Sequence, residues 1–174
     1  IKAILASEKV QHSDVVGPWD SHDVCSTWYE TGSISLDHSP SLNMYSWART
    51  EGALRGGKFA LEIPDSGGWI KVKNPTDKYL GLYMYYMVTA PQQFYPEADV
   101  TVSKSLSPVD VGNPEFQMKI RPLDTIHLMS MGVHMIKGTK LGNVGPGEHF
   151  VSISPKEKRD RPFRITGIAL TEHG

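Results

Sequence analysis

The sequence contains a single cysteine, Cys25, among its 174 residues. One cysteine excludes a disulfide within the chain and a zinc site built from several cysteines. The chain also lacks a charge excess, because 18 lysines and arginines face 19 aspartates and glutamates and give a formal charge of -1. A nucleic-acid-binding domain generally carries a clear basic excess. We therefore expect no nucleic-acid partner.

Long apolar runs and the common catalytic motifs are absent as well. The longest apolar stretch, residues 79–90, is rich in tyrosine and falls short of the ~18 residues of a membrane-spanning helix. The nucleophile elbow of serine hydrolases and the glycine-rich nucleotide loops do not occur. The seven histidines show none of the usual metal-site spacings, such as HxH or HExxH. The sequence thus predicts no membrane insertion, no catalytic residues and no metal ligands, and it leaves any cofactor unknown.

A two-residue alternation of apolar and polar side chains recurs from residue 58 to residue 170. Lys58–Ile63, Ala98–Ser103 and residues 116–121 follow it, and turns rich in Gly, Pro, Asn and Asp separate such segments. This period indicates β-strands with one buried face. Further strands are predicted at residues 26–36, 69–73, 79–89, 125–131, 132–137, 149–153 and 163–170, and residues 2–11 form either a short helix or an edge strand. The fold class is therefore all-β, an antiparallel β-sandwich or jelly roll of about 8–10 strands.

The domain organisation follows from length and from the lack of a linker. We predict a single β-sandwich domain over residues 1–174, with an irregular, loop-rich N-terminal part at residues 1–57 and regular strands at residues 58–174. The inward positions of the strands predict the hydrophobic core. These positions are Phe59, Leu61, Ile70, Val72, Leu80, Leu82, Met84, Val100, Val102, Phe116, Met118, Ile120, Val151, Ile153 and Ile165.

The predicted strand at residues 79–89 carries an unusual row of tyrosines. Alternation places Leu82 and Met84 on the side that faces the core, and Tyr79, Tyr83 and Tyr85 on the opposite side. A tyrosine ring stacks on the C–H face of a sugar while its hydroxyl forms a hydrogen bond. The row therefore predicts a glycan-binding surface. A central strand that is buried on both faces remains the open alternative.

We expect polar residues on other predicted strands to extend the glycan-binding surface. Gln117, Lys119 and Arg121 share one face of their strand, and His127 and His134 alternate with apolar residues. Amides, cations and imidazoles all donate hydrogen bonds to sugar hydroxyls or carboxylates. The complete set of predicted ligand-binding residues is Tyr79, Tyr83, Tyr85, Gln117, Lys119, Arg121, His127 and His134. A solvated strand face has the same pattern, so that interpretation stays open.

The end of the sequence resembles a known family. The segments GEHFVSI at residues 147–153 and FRITGIAL at residues 163–170 are similar to the last two strands of many jelly-roll, galactose-binding-like carbohydrate-binding modules. The segment WIKV at residues 69–72, after a Gly-Gly turn, resembles an early strand of those modules. The resemblance implies a jelly-roll fold and a glycan or polysaccharide ligand. The acidic residue that binds structural calcium near the last strand of such modules is not evident, so the resemblance implies no calcium site here.

Together these features predict a non-catalytic carbohydrate-binding module. We expect it to be secreted or extracellular and covalently linked to a catalytic domain in a longer polypeptide. Two other interpretations stay open, because a fold alone does not determine a function. One is a jelly-roll enzyme, either a polysaccharide lyase or a cupin-like metal enzyme. The other is a structural or adhesion β-sandwich domain.

Overall fold

The computed structural model describes residues 24–27, 34–47, 58–90, 93–123 and 133–172. These ranges contain ten strands, which are β1 (Val24–Thr27), β2 (Asn43–Trp47), β3 (Lys58–Ile63), β4 (Gly68–Asn74), β5 (Leu80–Ala90), β6 (Ala98–Ser103), β7 (Phe116–Ile120), β8 (Val133–Val144), β9 (Gly147–Pro155) and β10 (Phe163–Thr171). One helical turn, α1 (Pro108–Gly112), joins β6 to β7. Within the same ranges, no helix has the length and apolar character that spanning a bilayer requires.

The strands form two antiparallel sheets that pack face to face. The large sheet has six strands in the order β2-β3-β10-β5-β8, and β1 pairs with β10. The small sheet has four strands in the order β4-β9-β6-β7. The predicted all-β antiparallel sandwich is thus confirmed. It places β5 inside the large sheet, where it pairs with β10 on one side and β8 on the other.

The predicted strand limits agree with the structure except in two regions. Lys58–Ile63 and Ala98–Ser103 begin and end as predicted, and five more strands agree within two residues. The strand predicted at residues 132–137 continues to Val144, because β8 pairs with β5 along its whole length. The strand predicted at residues 26–36 overlaps β1 only at residues 26–27, since residues 34–36 lie outside any strand. The predictions for residues 2–11 and 125–131 lie outside the described residues.

The hydrophobic core lies between the two sheets and matches the predicted inward positions. All of those residues are buried except Phe59, Phe116 and Met118, which are partly buried. Phe116 and Met118 nevertheless pack against the buried cluster. Because burial alternates along β4, β6, β7 and β9, the predicted inward faces of these strands are confirmed, whereas β10 is buried on both faces.

Gly142 lets the two sheets approach each other at one edge of the sandwich. A methyl group on this β8 residue would lie 2.6 Å from Cγ of Phe116, which reaches across from the small sheet. We expect Gly142→Ala to lower the free energy of unfolding by about 1–3 kcal/mol, the usual cost of overpacking. Urea denaturation measures this change.

The matched control is Gly112→Ala, because a methyl group on Gly112 meets no atom within 4 Å. This exposed substitution should change the free energy of unfolding by less than about 0.5 kcal/mol. Equal destabilisation by the two substitutions would contradict the role assigned to Gly142.

Candidate functional site

The outer face of the large sheet carries two of the three predicted tyrosines, and the third lies beside it. Tyr83 and Tyr85 lie on the outward side of β5 and are partly buried, while Leu82 and Met84 point into the core. Tyr79 immediately precedes β5 and is 75% exposed. We name Tyr79, Tyr83 and Tyr85 the tyrosine row. Six residues of extended chain separate its ends by about 20 Å, which suits an oligosaccharide better than a single sugar ring.

Each ring of the tyrosine row lies close to a glycine. A methyl group on Gly81 would lie 3.0 Å from Cε2 of Tyr83, and a methyl group on Gly138 would lie 2.8 Å from Cε1 of Tyr85. Tyr79 lies in the same way over Gly145, with its Cε1 and Cζ atoms 3.3 Å from the methyl position. Because glycine has no side chain, the three rings lie low over the backbone.

Asn74 holds the turn that presents Tyr79. The Asn74 side chain is buried, and its Nδ2 atom donates to the carbonyl oxygens of Lys78 at 2.8 Å and Val144 at 3.1 Å. Its Oδ1 atom accepts a hydrogen bond from the backbone N–H of Thr76 at 3.0 Å. One amide thus joins the β4–β5 turn to the end of β8, so Tyr79 is fixed beside the sheet.

A buried histidine holds the turn beneath Tyr79 from the other side. His149 has its Nε2 atom 2.8 Å from the carbonyl oxygen of Gly145 and its Nδ1 atom 2.7 Å from Oε2 of Glu115. The Lys104 ammonium lies 3.2 Å from the same Nε2 atom. Because Gly145 lies under the Tyr79 ring, this network fixes the support of the ring.

A buried arginine bounds the outer face near the opposite edge of the large sheet. Arg164 of β10 donates from Nε and Nη2 to Oε1 of Glu62 at 3.0 and 2.6 Å. The guanidinium also lies 3.7 Å from the ring centroid of Tyr45 and 5.8 Å from that of Tyr95. This pairing neutralises both charges, and the aromatic rings shield it from water.

Tyr95 covers the far end of the outer face. It follows β5 in the chain and forms a buried cluster with Ala60 and Met87. Its hydroxyl donates to the sulfur of Met87 at 3.8 Å. The segment around Tyr95 therefore covers the sheet beyond Tyr85, and the accessible part of the face lies towards Tyr79.

The structure does not bring the predicted site residues of β7 to the tyrosine row. Gln117 and Lys119 are exposed on the outward side of β7, and Arg121 follows the end of that strand. The small sheet contains β7, and sheets in a sandwich are about 10 Å apart, so Gln117 and Lys119 lie on the opposite side of the molecule. Arg121 instead lies near the far end of β5, because its Nε atom donates to Oε1 of Gln93 at 3.1 Å and Leu123 pairs with Thr89. His134 lies in β8 opposite Thr89, and nothing is described of its side chain. His127 lies outside the described residues.

Lys140 is the residue of this surface that sequence reasoning missed. It lies on β8 directly opposite Tyr83, with its Nζ atom 5.9 Å from the centroid of that ring. Its Cε atom lies 3.3 Å from the methyl position of Gly81. The sequence offered no signal for this contact, because it depends on the pairing register of two strands that are distant in the chain. In the described ranges, no group of three or more His, Cys, Asp or Glu side chains is arranged to hold a metal ion.

Comparison with known proteins gives matches among solved structures only. No family model and no curated protein matches this chain. The structure is similar to that of a family 6 carbohydrate-binding module from Clostridium stercorarium in complex with cellobiose. The TM-score is 0.48 and the identity 13%, over 86% of this chain and 92% of that one.

Two further solved structures are similar to this chain. One is the carbohydrate-binding module of lichenase 5A from Cellvibrio mixtus in complex with cellotriose, with a TM-score of 0.45 and 13% identity over 87% of this chain and 98% of that one. The other is an exo-β-1,3-galactanase from Phanerochaete chrysosporium, with a TM-score of 0.46 and 14% identity over 87% of this chain. This chain covers 30% of the length of the galactanase. All three similarities are similarities of structure at 13–14% sequence identity.

Burial of the Tyr95 phenol makes stability depend on alkaline pH. Burial raises the pKa of Tyr95 above its usual value of 10, although the nearby Arg164 acts in the opposite direction. The neutral phenol favours the folded state, so its contribution is complete below pH 10 and is lost as the pH rises through the higher pKa of the folded protein. We expect Tyr95→Phe to show a shallower loss of unfolding free energy above pH 10 than the unsubstituted chain in urea denaturation.

Tyr79→Phe is the matched control, because Tyr79 is largely exposed. Its pH dependence should follow that of the unsubstituted chain. The same alkaline loss in Tyr95→Phe as in the unsubstituted chain would contradict the assigned role of burial.

Proposed function

We propose that this chain is a non-catalytic carbohydrate-binding module that holds a glycan along the tyrosine row of the large sheet. The observation that carries the proposal is the placement of Tyr83 and Tyr85 on the outward side of β5 and of Tyr79 immediately before that strand, each over a glycine. Aromatic rings held low over a sheet offer a flat surface to the C–H faces of sugar rings. Tyrosine hydroxyls at the ring edges supply hydrogen bonds to sugar hydroxyls.

Rigidity of the row supports this proposal. Tyr83 and Tyr85 stand on a strand that is paired on both sides, and the Asn74 amide together with the His149 network fixes the support of Tyr79. A site on paired strands is better preorganised than a site on a loop. Stacking on a few rings is modest in energy, so we expect a dissociation constant on the order of micromolar to millimolar.

We propose further that the module belongs to a longer secreted protein that acts on glycans. The module would keep that protein near its polysaccharide. Bringing a linked catalytic domain to its substrate raises the effective concentration of that substrate without any new contact.

Isothermal titration calorimetry with a panel of oligosaccharides tests the proposal. Cellobiose and cellotriose, the ligands of the two similar modules, serve as neutral probes beside other neutral and acidic oligosaccharides. We expect Tyr83→Ala to weaken binding of the best ligand by about tenfold or more, equivalent to roughly 1.4 kcal/mol. Tyr83→Phe should retain most of the affinity, because the stacking ring remains.

Gln117→Ala on the small sheet is the matched control and should leave the affinity unchanged. Unaltered thermal unfolding of each variant shows that the fold is intact. Lack of binding to every oligosaccharide, or loss of binding in Gln117→Ala with full binding in Tyr83→Ala, would contradict the proposed site.

A further inference from the structure

The strands around the tyrosine row contain positive charges and no negative charge. β5 has no charged residue, β8 contains Lys137 and Lys140, and β10 contains Arg164. None of these three strands contains an aspartate or a glutamate. A surface that carries one sign of charge attracts ligands of the opposite sign.

Lys140 is the cation that lies beside the tyrosine row. Its side chain is exposed and crosses Gly81, and its Nζ atom lies 5.9 Å from the ring centroid of Tyr83. No carboxylate in the described part of the chain forms an ion pair with it. By contrast, Lys78 pairs with Glu172 at 3.1 Å and Lys71 with Asp37 at 2.8 Å. The charge of Lys140 is therefore available to a ligand.

Two charges on this face neutralise each other. In the described strands of the large sheet, Glu62 of β3 is the carboxylate on the outward side, and Arg164 binds it through two nitrogen atoms. Arg164 is buried, with a side-chain exposure of 6%, so it presents no charge to a ligand. Lys140 thus remains as the charge next to Tyr83.

We propose that the tyrosine row binds an acidic glycan, whose sugar ring stacks on Tyr83 while its carboxylate or sulfate group pairs with Lys140. This inference rests on the proposed function and names the ligand class of the same site. An ammonium group serves either anion as a point charge. The two sources of negative charge, uronate and sulfate, are therefore distinguished by experiment.

Matched acidic and neutral ligands test the inference by isothermal titration calorimetry at low salt. The pairs are oligogalacturonate and its methyl ester, xylo-oligosaccharide with and without a glucuronate branch, and galactan oligosaccharide with and without sulfate. We expect the acidic member of at least one pair to bind the unsubstituted chain about three- to tenfold more tightly, the scale of an exposed ion pair. The preference should shrink at high salt, because salt screens exposed charges.

Lys140→Gln should remove this preference, because the acidic member loses its ion pair and the neutral member has none to lose. Lys119→Gln is the matched control, because Lys119 is an exposed lysine on the small sheet, and it should retain the preference. Equal affinity for the acidic and neutral members of every pair would overturn the inference while glycan binding stands. Loss of the preference in Lys119→Gln instead of Lys140→Gln would overturn it as well. No binding of any member would contradict the proposed function itself.

Discussion

Burial of one face of β5 is the constraint on which the candidate site depends. Leu82 and Met84 are fully buried between the sheets, and β10 and β8 pair with β5 on its two sides. Shifting the strand by one residue would expose these side chains and force Tyr83 and Tyr85 into the core. Since burial of each large apolar side chain contributes about 1.5–3 kcal/mol, the core holds the tyrosines on the outer face.

Two glycines of the neighbouring strand β8 make room for aromatic rings, one on each face of the large sheet. Gly138 of β8 provides the space for Tyr85 on the outer face, and Gly142 of the same strand accommodates Phe116 on the inner face. Glycine usually weakens a strand because it has no side chain to pack. Here each glycine makes room for an aromatic ring from a neighbouring segment. The packing of the core and the shape of the candidate site thus depend on the same strand.

The sequence predicts those parts of the fold that depend on local alternation. It predicts the two faces of β5, and hence which side carries Tyr83. It does not predict which strands pair, because pairing depends on contacts between distant segments. For this reason Gln117 was expected near the tyrosines, although the strand order places β7 in the other sheet. Lys140 was missed for the same reason, because its contact with Tyr83 depends on the pairing of β8 with β5.

The central claim is that a glycan lies on the outer face of the large sheet, along β5. The most direct measurement is a ¹H–¹⁵N NMR titration of the chain with its tightest oligosaccharide ligand. The expected result is that the largest shift changes occur at the backbone amides of Tyr83, Tyr85 and Lys140. The small sheet offers the alternative surface, a cross-strand row that includes Trp69 and Gln117. Shift changes concentrated on that row, with none along β5, would contradict the claim.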